Sequence, residues 1–302
     1  MGFLQQKFFI SSPTPAFLFL IKTFNISQKE AQRWIDKKRL RTANHHICKK
    51  GETLMGEVEI TLFKPATTIE QPFFRTPFFT IFNKPANLLS HPKGCFESIS
   101  MLDSIYAILG KNAVLTHRLD KETSGLLLVA HNAVIAKEIG YLFMNRLIHK
   151  TYLAWVEGYV KSTQTISLPL RKPKKEKDLS IRMQIAQKGE GKEAITSIYP
   201  LTYNQQTNST LVRVIPKTGR THQIRIHLAT IGHRILGDPL YGIPDAHSRL
   251  YLESNLSCTD YEKYFGAKRL MLHAYGLEFP FRDSYFHLIC PTNFDKKILP
   301  SK

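Results

Sequence analysis

A chain of 302 residues, 43% hydrophobic and 22% charged, has room for two domains and a sizeable core, which excludes a disordered tract and a fibrous repeat. Its 42 Lys and Arg against 24 Asp and Glu leave a formal charge of +18, and a field of that sign concentrates polyanions, so nucleic acid leads a membrane surface or an acidic small substrate as partner. The cysteines Cys48, Cys95, Cys258 and Cys290 stand far apart with no C-x-x-C pair, which argues against a zinc site or a disulfide framework and fits a reducing cytoplasm.

Residues 1 to 17 read as an N-terminal tail. The apolar run from Ala16 to Ile21 is too short to span a bilayer and lacks the flanks of a targeting peptide, so no membrane association is expected. The stretch FNISQKEAQRWIDKKRL then places Ala31, Trp34 and Ile35 near a helical repeat, with Asn25 or Ser27 available as cap. In HHICKKGETLMGEVEITLF, Val58, Ile60 and Leu62 alternate with Glu59 and Thr61, which predicts a turn at Lys50-Gly51 followed by a short strand. In this order of helix, basic turn, Gly-Glu-Thr loop and Val-x-Ile strand, residues 18 to 64 resemble an S4 RNA-binding domain, a small α/β unit. The resemblance implies RNA contacts from Lys37, Lys38 and Arg39. At Leu40 to His46 the chain departs from the Val-x-Val-Asn-Gly turn usual in that family.

KPATTIEQPFFR, residues 65 to 76, has two prolines and no periodicity and reads as a linker. From residue 77 to 302 strand patterns at Phe78 to Phe82, Leu126 to Ala130, Tyr152 to Val156, Thr196 to Leu201 and Leu211 to Ile215 mix with helical patterns at Ala133 to Asn145 and Thr221 to Ile231. Such irregular alternation predicts an α+β domain on a mixed, largely antiparallel sheet rather than a βαβ array. Neither GxGxxG nor GxxxxGK[ST] occurs, so no nucleotide cofactor is implied.

THRLDKETSGLLLVA, from Thr116 to Ala130, runs from a polar loop straight into an apolar stretch that reads as a buried strand. Asp120 therefore lies on a loop against the core, where its charge needs a cation or several donors. From chemistry alone the turn aspartate is the readier reading, since Asp is common in turns and one carboxylate defines no reaction. Glu122 follows too closely to serve as the second carboxylate of a glycosidase. In KTGRTHQIRIHLATIGHRILGDPLYG, residues 217 to 242, Thr221 is a candidate cap for a helix whose Ile224, Leu228 and Ile231 form an apolar stripe, with Arg225 beside it. His222 and His227 fall on different faces of that helix with no acidic ligand between them, so no metal site is expected. Tyr152, read without context, is a core aromatic on an alternating strand. The run Arg171 to Lys177 suits a solvated loop as well as a phosphate grip.

HRLDKETSGLLLVA is close to the HRLDxxTSGLLLxA signature of RluA-type pseudouridine synthases. FNKPANLLSHPKG, KTYLAWVEG, GKEAIT and LMLHAYGLEF resemble further segments of that family in the same order, and the similarity covers nearly everything after residue 77. Asn87 stands where the family usually has Gly, and Asn tolerates a left-handed backbone. The resemblance implies an enzyme that isomerises uridine in RNA without a cofactor. It also implies Asp120 as the catalytic nucleophile, Arg225 as its ion-pair partner and Tyr152 as the catalytic ring that packs on the target base and is a candidate for proton transfer. Arg118 would displace that base, with Arg220 and His222 as further RNA contacts. Asp120 has three routes open to it: attack at ribose C1′, attack at uracil C6, or removal of a proton. The implied partner is structured RNA, ribosomal (23S) ahead of transfer RNA, and nothing demands more than a monomer. A non-catalytic RNA-binding or ribosome-assembly protein is the alternative from another class.

Overall fold

The computed structural model describes residues 3–44, 46–63, 70–92, 99–173, 179, 181–187, 189–254, 256–292 and 294. The chain divides into two compact units, one of residues 1–70 with 89–111, the other of residues 71–88 with 112–302.

The first unit begins with β1 (Phe3–Pro15), α1 (Ala16–Phe24), α2 (Gln28–Asp36), β2 (Leu40–Thr42) and β3 (Thr53–Phe63). The three strands form an antiparallel sheet in the order β1-β3-β2. Residues expected as a tail are thus a strand, paired with β3 from Phe3 opposite Phe63 to Pro15 opposite Thr53. The physical reason is packing. The Phe8 ring meets Phe19 and Phe24 edge-on at 6.1 and 5.4 Å, and Ile10 is buried with Leu20, Ala31, Ile35, Val58 and Ile60. Ser27 caps α2, its side chain accepting from the Glu30 N–H, while Asn25 ends α1 in the left-handed region. Lys38 has positive φ and exposes its side chain just after α2, and the Arg39 guanidinium lies 5.5 Å from the Trp34 ring centroid. α3 (Met101–Leu109) also belongs to this unit, started by a capping box between Ser100 and Asp103.

The second unit is α+β. Its strands in chain order are β4 (Pro72–Arg75), β5 (Phe79–Lys84), β6 (Val114–Leu115), β7 (Ser124–Ala130), β8 (His149–Glu157), β9 (Gln164–Ser167), β10 (Leu170–Arg171), β11 (Gln184–Ile185), β12 (Ile195–Asn204), β13 (Ser209–Pro216), β14 (Leu272–Phe281) and β15 (Ser284–Ile289). Its helices are α4 (Ala133–Met144), α5 (Gln223–Thr230), α6 (Asp245–Glu253) and α7 (Cys258–Phe265). Ten strands form one sheet along the path β4-β5-β7-β14-β8-β13-β12-β9, with β15 on β14 and β6 on β7. Among the described strands of this sheet only the β7–β14 pair is parallel. Two domain boundaries therefore differ from expectation. Pro72–Arg75 of the expected linker is an edge strand on β5, where proline costs no ladder bond. Residues 89–111 leave the second unit for the first.

β7 is buried along its whole length, as its unbroken apolar run requires. It pairs with β5 along one edge, and along the other with β6 at Val129 and Ala130 and with β14 through only His273 opposite Ser124 and Ala274 opposite Gly125. Gly125 permits that approach: it has φ of +112°, and a Cβ placed there would lie 2.6 Å from the Ala274 nitrogen. Gly125→Ala is expected to open the β7–β14 contact, seen as lost amide-exchange protection around Ala274. Parental protection there would refute this packing account.

Two apolar clusters anchor the sheet. One is built on Phe79, Ile81, Leu126, Leu128, Phe279 and Ile139, the other on Trp155, Val212, Val214, Leu228, Ile235 and Leu272. Each fully buried side chain of this size is worth about 1.5–3 kcal/mol, so the loops at the sheet's ends hang from a rigid frame. Most of the basic run at 171–177 lies outside the described residues.

Candidate active site

Asp120 lies in the loop that ends in β7, with its side chain 26% exposed. That loop is held from within. The Thr123 N–H donates to the Asp120 carbonyl at 3.2 Å, and the Lys121 carbonyl accepts from Lys84 Nζ at 3.1 Å. Lys84 closes β5, is fully buried, and gives its other bonds to the carbonyls of Pro85 at 2.8 Å and Leu88 at 2.7 Å. Burial pushes its pKa down to about 7 against the opposing pull of Glu122 and Asp120. Three carbonyl acceptors match the three N–H groups of an ammonium, so the charged form is the one the site is built around. Asn87, in the turn after β5, has φ of 65°, the left-handed conformation expected of it.

α5 supplies the cation. Its Arg225 is 1% exposed, and its guanidinium is shared among three carboxylates. Asp238 takes the bidentate grip, with Nε to Oδ2 and Nη2 to Oδ1 both at 2.8 Å. Nη1 then serves two acids at once: it donates to Glu122 Oε2 at 3.2 Å and faces Asp120 Oδ2 at 3.5 Å. The structure therefore joins Arg225 to Asp120 but gives its tightest bonds to acids the sequence reading did not select. Burial opposes the charge on Arg225, but its acid partners, Asp238 foremost, hold its pKa well above the ordinary arginine value. Burial also opposes ionisation of Glu122, yet Arg225 and a 2.7 Å bond from the Tyr251 hydroxyl keep its pKa below the usual carboxylate range.

Asp238 is placed by the turn after the Ile235 segment. Gly237 there has φ of +74°, and a Cβ would lie 2.5 Å from the Arg269 carbonyl carbon. The same carboxylate accepts from the Leu240 and Tyr241 N–H groups at 2.8 and 3.2 Å. Asp238 thus belongs to the backbone of its turn as much as to Arg225. Nothing but its place in GDPLYG marked it in the sequence, and Glu122 was marked only by its distance from Asp120.

His222, expected among the RNA contacts, sits over the carboxylate. Its Nε2 is 3.9 Å from Asp120 Oδ1 and its Nδ1 is 2.9 Å from the Tyr241 hydroxyl. Burial depresses its pKa, only partly offset by Asp120, so the ring is neutral at pH 7. It also occupies the N-cap position expected for Thr221, with φ of 54° and no capping side-chain bond. Gln223 reaches back instead, its Oε1 accepting from Arg220 N–H at 3.0 Å and the Thr218 hydroxyl at 2.7 Å. His227 spends its ring on the Thr196 hydroxyl and the Leu168 carbonyl, and His233 bonds the Glu157 carbonyl. Among the described residues no group of three or more His, Cys, Asp or Glu has the arrangement to hold a metal ion.

Tyr152 lies on β8, opposite Ala274 of β14 and Val214 of β13. Burial and the charge of Asp120 raise the pKa of its phenol, so the hydroxyl keeps its proton at neutral pH. Arg118 is exposed and has no hydrogen bond or ion pair among the described residues, which leaves it free to meet a ligand. Arg220 is also exposed but anchored, with Nε donating to the Glu193 carbonyl at 3.0 Å. Lys37, Lys38 and Arg39 lie in the first unit.

A carboxylate, a buried guanidinium and a protonated phenol around one loop suit nucleophilic chemistry on a base whose ring needs a platform. The chain as a whole is similar to known proteins. The family model for RNA pseudouridylate synthases matches residues 79–230. An uncharacterized RNA pseudouridine synthase of Helicobacter pylori strain J99 is 40% identical over 96% of each chain. The tRNA pseudouridine synthase C of Vibrio cholerae is 32% identical over 68% of this chain and 83% of its own. The ribosomal large subunit pseudouridine synthase D of Zymomonas mobilis is 32% identical over 61% of each. In fold, the human RNA pseudouridylate synthase domain containing 1 protein superposes with a TM-score of 0.59 at 23% identity, covering 77% of this chain and 87% of that one. With its signature loop at the site, its sheet behind it and a relative matched along nearly its whole length, this chain belongs to the RNA pseudouridylate synthase family.

Proposed function

We propose that Asp120 is the nucleophile of this isomerase and that its substrate is a uridine of large-subunit ribosomal RNA. The observation that carries the first part is the half-open Asp120 carboxylate 3.5 Å from a fully buried guanidinium. That cation orients the carboxylate while leaving it reachable. The reaction breaks the N1–C1′ bond, turns the uracil in the site, and joins C5 to C1′. C5 loses its proton to solvent, N1 takes one up, and the bond formed by Asp120 is broken again before release, so redox change and external energy are both absent from the balance. Arg225 orients the nucleophile, and Tyr152 supplies a ring against which the uracil rests while it turns.

Before any of this the base must leave its stack, which costs a few kcal/mol. Arg118, exposed two residues before the nucleophile, is the cation that takes the vacated place. The net charge of +18 offsets part of the cost through the phosphates. Tyr152→Ala is expected to weaken the stacking contribution by about 1–3 kcal/mol, whereas Tyr152→Phe keeps the platform and tests the hydroxyl alone. A Phe variant as impaired as the Ala variant would transfer the role from ring to hydroxyl.

Ribosomal RNA is favoured by the resemblance of residues 18 to 64 to an S4 domain, with Lys37, Lys38 and Arg39 as its RNA contacts. The name of the Vibrio relative keeps transfer RNA as the second reading. Pseudouridine mapping of total RNA with and without the gene decides between them. A site lost from 23S RNA supports the first reading, and a site lost only from tRNA replaces it.

A further inference from the structure

β8 alternates without a break, since the register irregularity of the β8–β14 pair lies on β14, between Ala274 and Gly276. Lys150 and Tyr152 therefore point to the same face of the sheet. That is the side of Asp120, whose charge Tyr152 senses. Lys150 is only partly exposed, and its Nζ reaches the loop ahead of α5, where a Cβ on Gly219 would lie 3.2 Å from it.

What distinguishes Lys150 is the company it lacks. Arg225 has three carboxylates, Lys84 three carbonyls, Arg182 the Asp245 carboxylate at 2.6 Å and Arg234 that of Glu157 at 2.6 Å. Arg269 donates to the Ser124 hydroxyl and lies against the Phe294 ring. Outside the strand ladder, the Lys150 ammonium has neither a hydrogen bond nor an ion pair among the described residues. Its titratable neighbour is another base: His117 has its pKa depressed by burial and, after that, by the charge of Lys150. Burial with no acid to offset it lowers the pKa of Lys150 itself.

An ammonium with three unused donors beside the base platform needs an acceptor brought from outside. An extruded uridine brings carbonyls, hydroxyls and one anion, its phosphodiester. Only the anion repays the cost of keeping a cation in that position. Gly219, by having no side chain, leaves the approach to Nζ open. Resting on the assignment of RNA as substrate, we propose that Lys150 binds a phosphodiester group flanking the target uridine and so holds the extruded nucleotide over Tyr152.

The test measures binding and turnover separately, on the full chain with an RNA transcript bearing the mapped uridine. Lys150→Gln is expected to weaken binding and to lower the slope of log affinity against log salt by roughly 0.7 to 0.9, the loss of one phosphate contact. Lys150→Arg should keep the parental slope. A parental slope in Lys150→Gln, or a lost rate with unchanged affinity, overturns the proposal. Should Lys150→Gln fail to fold, the parent enzyme answers with synthetic RNA carrying an uncharged methylphosphonate 5′ or 3′ to the target uridine. One of the two replacements must lower the slope, and if neither does the proposal is wrong. A parent that releases no tritium from 5-tritiated uridine in RNA would instead refute the enzymatic reading, which keeps the two failures apart.

Discussion

Asp120→Asn in the full chain is expected to bind RNA with near-parental affinity and to release no tritium from RNA labelled at uridine C5. The substitution keeps the size and most of the hydrogen bonding of the side chain but removes the negative charge that attacks. The surrounding loop should survive it, because it is tied down by Lys84 through the Lys121 carbonyl and by the Asp120 carbonyl itself, neither of which uses the carboxylate. Losing a nucleophile that carries a covalent step typically costs several orders of magnitude in rate. Turnover within tenfold of the parent would remove Asp120 from the mechanism and reopen Glu122, the other acid on Nη1 of Arg225.

The second large effect concerns stability. Asp238→Ala should destabilise the catalytic unit by about 3–5 kcal/mol, the usual cost of breaking a buried ion pair from one side. Arg225 would keep its charge but lose both 2.8 Å bonds, and the Leu240 and Tyr241 N–H groups would lose their acceptor. Asp238→Asn is the milder control, because it keeps an acceptor for those N–H groups. Chemical denaturation followed through the near-ultraviolet signal of the second unit measures this, and a loss under about 1 kcal/mol for the Ala variant would show that Asp238 is not the main anchor. Activity should fall as well, since an arginine released from Asp238 is free to turn fully onto Glu122 or Asp120.

Together these two experiments separate the acid that reacts from the acid that positions. Asp120 and Asp238 lie on opposite sides of one guanidinium, yet one is 26% exposed and the other 1%. A shared cation with unequal partners is how a single arginine both stays put and serves a reactive group. The tight bidentate grip fixes its plane, and the longer 3.5 Å contact leaves Asp120 free to move toward substrate.

Much of the architecture was legible because local patterns and tertiary demands agree in it. The apolar run of Leu126 to Ala130 had to be a buried strand and the repeat at Ala133 to Asn145 a helix, since each is decided by residues within one or two turns, while of the two candidate caps Asn25 and Ser27 the structure uses Ser27. β1 was not legible. FLQQKFFISSPTP has no clean alternation, and only the partner strand β3 and the rings of Phe19 and Phe24 make it a strand. The same holds for Pro72–Arg75, which is a strand only because β5 lies beside it. Thr221 failed as a cap because Gln223, bonded to Thr218 and Arg220, pins the loop in a left-handed residue first.

By themselves the residue types around Asp120 determined that it lies on a loop against the core and needs a cation or several donors. The reaction class is what the resemblance of HRLDKETSGLLLVA to the family signature implies. Which groups share that cation was decided only by folding. Glu122, Asp238, Tyr251 and Lys84 reach the site from as far apart as residues 84 and 251, and the sheet order β5-β7-β14-β8 brings their loops together. A carboxylate's partners inside a protein are set by distance in space, because the Coulomb energy that stabilises it falls with separation and grows as water is excluded.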